Sequence, residues 1–186
     1  MKRVVIGLAL FSLSGCGFGY NRIQTYDEDI NAFKSQIEVQ LQRRSDLIPN
    51  LVATVRGFAD QEEEVFTSIA EARSRLGGAI QSGSLGQMAE ANQSLTQGLG
   101  RLLVISEAYP ELRSNQNFME LQVQLEGTEN RIATARQDYN DAVRTYNGFI
   151  RRFPQALTAK ATGAEAREYF EITSEEVRDV PTVSFE

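Results

Sequence analysis

Between Ile23 and Leu76 the apolar residues fall three or four apart almost without interruption. The series is Ile23, Tyr26, Ile30, Phe33, Ile37, Leu41, Arg44, Ile48, Leu51, Val55, Phe58, Glu62, Val65, Ile69, Ala72 and Leu76, with one additional four-residue step between Phe33 and Leu41. A strand alternates every second residue and cannot produce such a series; a helix lays it along one face. Only Arg44 and Glu62 interrupt the apolar rule. A stripe this long, with coiled-coil-like spacing, is soluble only if a comparable length of other helix covers it.

Two more helical patterns supply that cover. One runs Met88, Asn92, Leu95, Leu99, Leu102, Ser106, Tyr109, and should end before Pro110, which pushes the residue ahead of it out of α geometry. The other runs Phe118, Leu121, Leu125, Thr128, Ile132, Ala135, Tyr139, Ala142, Tyr146, Phe149, Phe153. Asn117 is the predicted N-cap, with Glu120 in capping-box position and Pro154 as the stop. The glycine-rich "GGAIQSGSLG", Gly77 to Gly86, reads as a flexible loop that stops the first pattern.

Length arithmetic sets the packing. As helices, 117–153 and 21–57 each span roughly 55 Å, and 60–76 and 87–109 about half that. Matching lengths imply a long antiparallel pair with a short pair beside one end. This requires a break near Gly57 to Asp60, where Asp60 is a candidate N-cap with Glu63 at N3. The unbroken register through Phe58 and Val65 leaves one continuous helix to Leu76 as the alternative. The fold class is all-α. Residues 155–186 are too short for another domain and are expected to lie along the helices as a strap.

The chain has 186 residues and a net charge of −6, with no basic stripe, which disfavours nucleic acid as a partner. It contains no histidine, which removes histidine acid–base chemistry, histidine-paired nucleophiles and nearly all zinc or haem sites. Its single cysteine excludes an intramolecular disulfide. No pair of carboxylates stands out as an acid–base couple or a metal cage. "GLGRLL" lacks the Lys-Ser/Thr of a phosphate loop, so Gly98 and Gly100 are read as points of close helix contact. No catalytic, cofactor-binding or metal-ligating residue is assigned, no cofactor is expected, and the chain is read as a non-enzyme.

The N-terminus reads "MKRVVIGLALFSLSGCG". Lys2 and Arg3 precede an apolar run, Val4 to Leu13, that fits a signal peptide and reaches only roughly half a bilayer core as a helix. "LSGC" is similar to a bacterial lipobox, in which cleavage precedes the cysteine. Residues 1–15 are then a lipoprotein signal peptide, Cys16 is the lipidated first residue, 16–20 is a linker, and 21–186 is the helical domain with its strap at 155–186. The expected location is a membrane surface facing the periplasm or the exterior. Gly17, where inner-membrane retention usually shows aspartate, leans toward the outer membrane.

"IEVQLQRRSDLIPNLVATVRGFA" resembles the signature of the LemA family of bacterial envelope proteins. So do "EARSR", "GRLLVISEAYPELRSNQNFMELQVQLEGTENRIATARQDYNDAVRTYN", "RRFP", "YFE" and "PTVSF", so the resemblance covers Tyr20 to Phe185. It implies an antiparallel four-helix bundle with a long helical hairpin. Many members keep an uncleaved N-terminal transmembrane helix, and the lipobox departs from that pattern. The resemblance also suggests a membrane-anchored, non-catalytic scaffold that works by self-association or partner binding and is linked to membrane organisation. The alternative is an adaptor or chaperone for an envelope protease or transporter. A homo-oligomer and an envelope protein are the expected partners, besides the membrane reached through Cys16.

Within the signature, Asp46, Pro49 and Asn50 form a structural hinge. Pro49 either sits inside a helix, where it deprives the Ser45 carbonyl of a donor, or follows a restart capped by Asp46. The register from Leu41 to Ile48 keeps one face, which selects the interior position with a kink. Arg44 and Glu62 either snorkel from the stripe's edge or form ion pairs that fix register between helices or copies of the chain. They are the candidate oligomer or partner contacts.

Overall fold

In the computed structural model, residues 2–171 are described, with side chains from Gly19 onward. The side chains of the signal segment and of Cys16, and the terminal "PTVSF", lie outside the described residues. All regular structure among the described residues is helical: α1 (Lys2–Arg56), α2 (Glu63–Ser82), α3 (Leu85–Glu107), α4 (Pro110–Arg113), α5 (Gln116–Ile150) and α6 (Gln155–Thr162). None of the helices is long and apolar enough, among the described residues, to cross a membrane. Two compact units divide the described residues. The first takes those within Met1–Gln40 and Gly127–Tyr169, the second those within Leu41–Glu126 and Phe170–Glu186. α1 and α5 each contribute to both.

The stripe that dominates the sequence is buried along α1. Ile23, Ile30 and Ile37 lie in the core of the first unit; Leu41, Ile48, Leu51 and Val55 lie in the core of the second. Each such side chain contributes about 1.5–3 kcal/mol on leaving water. In the first unit the α1 stripe is accompanied by buried α5 side chains, Ile132, Tyr139, Val143 and Tyr146. Tyr26 of α1 meets Phe149 of α5 edge-on, with ring centroids 5.3 Å apart. In the second unit Ile69, Ala72 and Leu76 of α2 and Met88, Leu95 and Leu102 of α3 are buried in the expected pattern.

The stripe is not one helix. α1 ends at Arg56 and α2 begins at Glu63. The start is not capped as expected: Glu62, not Asp60, occupies the cap position, and its side chain makes no cap hydrogen bond. Across the junction Arg56 pairs with Glu63 at 3.4 Å and lies over the Phe66 ring at 4.9 Å, while the Phe58 and Ala59 amides donate to the Val55 carbonyl. At α5 the cap is Asn115 rather than Asn117: its Oδ1 accepts from the Phe118 amide at 3.2 Å. α5 stops at Ile150, and Phe153, placed on the stripe by its spacing, is 83% exposed.

The glycine-rich segment is mostly helix, not loop. α2 runs through Gly77 and Gly78 to Ser82 and terminates at Gly83, whose φ of 68° is the left-handed cap that glycine takes without strain. Burial of Leu76 and Ala79 on either side outweighs the weak helix propensity of the glycine pair. Ser84 then caps α3 by accepting from the Gln87 amide. Of the two glycines read as close contacts, only Gly98 is one. A Cβ there would stand 2.9 Å from Cγ1 of Ile69, which is fully buried, whereas one on Gly100 would meet nothing within 4 Å.

These differences predict opposite responses to one substitution. A Cβ at Gly77 or Gly78 meets nothing within 4 Å, so Gly77→Ala and Gly78→Ala should each stabilise by about 0.5–1 kcal/mol. Gly98→Ala should destabilise by about 1–3 kcal/mol through overpacking against Ile69. Urea denaturation measures all three; stabilisation by Gly98→Ala would mean that α2 and α3 do not approach this closely.

Candidate functional site

Two polar constellations stand out, one in each unit. The first is built around the proline. α1 passes through Pro49 without a restart, so Asp46 is not a helix cap. Asp46, Pro49 and Asn50 are exposed; Asp46 accepts from Gln42 Nε2 at 2.8 Å, and the Asn50 carbonyl accepts from the Thr54 hydroxyl at 2.8 Å. The consequence of the proline appears on the inner side. Proline has no N–H, so the Ser45 carbonyl loses its helical donor. Nε of Arg73, from α2, donates to that carbonyl at 3.0 Å. A side chain thus replaces the missing backbone bond.

One residue earlier, Arg44 points inward. It is 4% exposed, and its Nη1 donates to Oδ1 of Asn92 on α3 at 2.7 Å. Arg44 therefore does not snorkel; its partner comes from another helix of the same chain. Asn92 is itself buried. Through Arg73 and Asn92, both helices of the α2–α3 hairpin are tied to the same turn of α1. Glu62, grouped with Arg44 by its spacing, is half-buried at the junction before α2 and belongs to a different local structure.

The second constellation clamps the segment after α6 to the first unit. Gly163, with φ of 69°, turns the chain out of α6. Asn147 of α5 then reads the backbone of Arg167 from both sides: its Oδ1 accepts from the Arg167 amide and its Nδ2 donates to the Arg167 carbonyl, each at 2.9 Å. Tyr139 donates its hydroxyl to the Glu168 carbonyl at 2.9 Å. The Arg167 guanidinium reaches Asp27 of α1, with Nε to Oδ1 at 2.9 Å. A polar groove of about 310 Å³, lined by Asp27, Tyr146, Gly163 and Arg167 among others, borders the clamp. Burial pushes the Tyr139 and Tyr146 hydroxyls above the ordinary phenol range, and the Asp27 carboxylate adds to the shift at Tyr146. The hydrogen bond to Asp27 raises Arg167 further.

Both constellations are fasteners. Each ends on a backbone carbonyl, an amide or a side chain of its own unit, and neither presents a nucleophile beside a base. No group of three or more candidate metal-ligating side chains occurs among the described residues. Sequence reasoning found Arg44, Pro49 and the freed Ser45 carbonyl but missed Arg73 as its partner, and missed the clamp. A signal for Asn92 was present, since it is a polar residue on an apolar stripe, as Arg44 is. Arg73 lies off every apolar stripe and left no trace in the periodicity.

The described residues define an all-α protein with a long proline-bearing helix, a short helical hairpin fastened to it and a polar clamp on the segment after α6. The chain belongs to the LemA family, whose model matches residues 33–185. Its relatives include two proteins of Paramagnetospirillum magneticum, magnetosome proteins MamQ 1 and MamQ 2. Each is 31% identical over 175 residues, covering 82% of this chain and 64% of the relative. Magnetosome protein MamQ of Magnetospirillum gryphiswaldense is 30% identical over 174 residues, with 81% and 64% covered. The chain therefore spans somewhat under two thirds of these relatives' length, 64% in each case.

The proline node predicts a coupling. Arg73→Ala should cost about 0.5–1.5 kcal/mol while Pro49 is present, because it strands the Ser45 carbonyl. In a Pro49→Ala background a backbone N–H returns to that carbonyl, so Pro49→Ala alone should cost little or stabilise, and the Arg73→Ala penalty should shrink. A double-mutant cycle by chemical denaturation reads both; strict additivity would contradict the assignment. The clamp predicts an alkaline limit. A tyrosine whose folded pKa lies above its unfolded value of 10.0 holds its proton longer when folded. Stability from Tyr139 is thus complete below pH 10 and is lost as pH rises through the folded value. Tyr139→Phe should flatten the fall in stability above pH 10, and an unchanged slope would remove Tyr139 from the cause.

Proposed function

We propose that this protein is a non-catalytic helical scaffold, held at a bacterial membrane through a lipidated Cys16, that works by self-association or by binding envelope partners. The observation that carries this reading is the contrast between the spent polar groups and the unspent apolar ones. Arg44, Asn92, Arg73, Asn147 and Tyr139 are engaged inside their units. Val104 on α3 and Met119 and Val123 on α5 remain exposed on helix faces. Met119 and Val123, four residues apart, share one face of α5, which suits lateral helix packing. Membership in the LemA family and the likeness to proteins named magnetosome protein support this reading, and a role in organising membranes is part of the proposal. Tethering to a membrane plane raises the local concentration at which weak lateral contacts form.

Two differently tagged copies expressed together should co-purify from the membrane fraction, and Val104→Asp with Val123→Asp should weaken that recovery. Cys16→Ala should abolish fatty-acid labelling and leave the precursor unprocessed. A mature protein that retains Met1 to Gly15 would overturn the anchor. One foreign partner recovered without the second tagged copy would favour the adaptor reading over the scaffold.

A further inference from the structure

One end of the first unit has a composition unlike the rest of the protein. The chain is acidic overall, with 25 Asp and Glu against 19 Lys and Arg. Yet from Gly19 to Tyr26 it carries Arg22 and no carboxylate, and from Ala142 to Ala164 it carries Arg144, Arg151, Arg152 and Lys160 and no carboxylate. The structure brings these two stretches together. The start of α1 lies against α6, where a Cβ on Gly19 would stand 3.1 Å from the Thr158 hydroxyl. Tyr26 packs on Phe149 about two helical turns further along α1.

Arg144 is turned to Asp141, 2.7 Å away, and is not available. Arg22, Arg151, Arg152 and Lys160 are exposed. Among them stand side chains that the described residues leave open: Phe153 at 83% exposure and Leu157 at 63%, with the half-exposed ring of Tyr20 at the start of α1. Four cations around an exposed aromatic and an exposed leucine match a bilayer interface, where basic side chains meet anionic headgroups and aromatic rings sit at headgroup level. The patch also adjoins the part of the chain closest in sequence to the apolar run Val4–Leu13 and to Cys16.

We infer that this end of the first unit, built from Arg22, Arg151, Arg152, Phe153, Leu157 and Lys160, docks on the anionic headgroups of the membrane to which the chain is anchored. The inference rests on the membrane-anchored reading and adds to it a second, protein-borne contact with lipid. It gives the lipid anchor an orienting surface: α1 leaves the membrane at an angle fixed by the patch, not by a free tether. Each cation adds an increment of attraction that salt screens within a Debye length.

The chain contains no tryptophan, so Phe153→Trp supplies a single reporter and keeps an aromatic residue at the position. Full-length protein carrying it is reconstituted into phosphatidylcholine vesicles with and without phosphatidylglycerol, with bromine-labelled acyl chains as quencher. The expected result is a blue-shifted emission and bromine quenching that depend on phosphatidylglycerol. Both should be lost at high salt and in a background of Arg151→Gln, Arg152→Gln and Lys160→Gln. Val39→Trp, at a 60% exposed position of the same unit roughly 28 Å along α1 from Tyr20, should stay unquenched. Protein that floats with the vesicles while the indole of Phe153→Trp emits as in water would overturn the docking surface and leave the anchor intact. Protein that does not float at all would overturn the anchored reading on which this one rests.

Discussion

The second unit depends on how a long amphipathic helix tolerates a proline in its buried course. Leu41, Ile48, Leu51 and Val55 are buried on both sides of Pro49. A helix that broke there would lose the register that puts them on one face. The chain keeps the helix and gives the freed Ser45 carbonyl to Arg73, while the neighbouring Arg44 is received by Asn92. Removing a backbone hydrogen bond therefore creates an attachment point. The α2–α3 hairpin is fastened to α1 at the turn where α1 is weakest, so the proline contributes to the specificity of the packing as well as interrupting the helix.

Much of this was legible in the residues themselves. Hydrophobic period gave the helical class and the course of α1, α3 and α5, because burial of a stripe is the largest favourable energy a helix has. The interior position of Pro49 followed from the constant face between Leu41 and Ile48. Local signals were less dependable. Gly77 and Gly78 read as a loop because glycine is a poor helix former, but the propensity cost is about 1 kcal/mol per residue and the burial of Leu76 and Ala79 exceeds it. Asp60 and Asn117 were plausible caps by type, yet Glu62 and Asn115 hold those positions. Several polar residues in a row could each cap a helix, and the choice among them is made by packing. Long-range polar pairs such as Arg73 with Ser45, or Asn147 with Arg167, have no periodic signature and become visible only in three dimensions.

The polar chemistry is divided by location. Inside each unit it is consumed by fastening: Asn92 and Arg73 in one, Asn147, Tyr139 and the Asp27–Arg167 pair in the other. Outside, the carboxylates are spread over most of the chain but are absent from the stretches 19–26 and 142–164 that meet at one end of the first unit, where exposed cations and the exposed Phe153 ring stand. A protein whose paired interior polar groups act as ties, and whose surface gathers cations at one end of the first unit, is suited to being placed and to holding others in place. That is the physical basis for reading it as a scaffold.

α1 remains one packed helix across Pro49 because Arg73 supplies the missing hydrogen bond. Amide hydrogen exchange along α1 tests this directly, since exchange reports the local opening free energy of each helical turn. The expected result is strong protection of the amides from Leu51 to Val55, comparable to that from Ile37 to Arg44, and a loss of protection centred on the Pro49 turn when Arg73 is changed to alanine. Fast exchange from Leu51 to Val55 in the unaltered protein would contradict it, as would an exchange pattern that Arg73→Ala leaves unchanged.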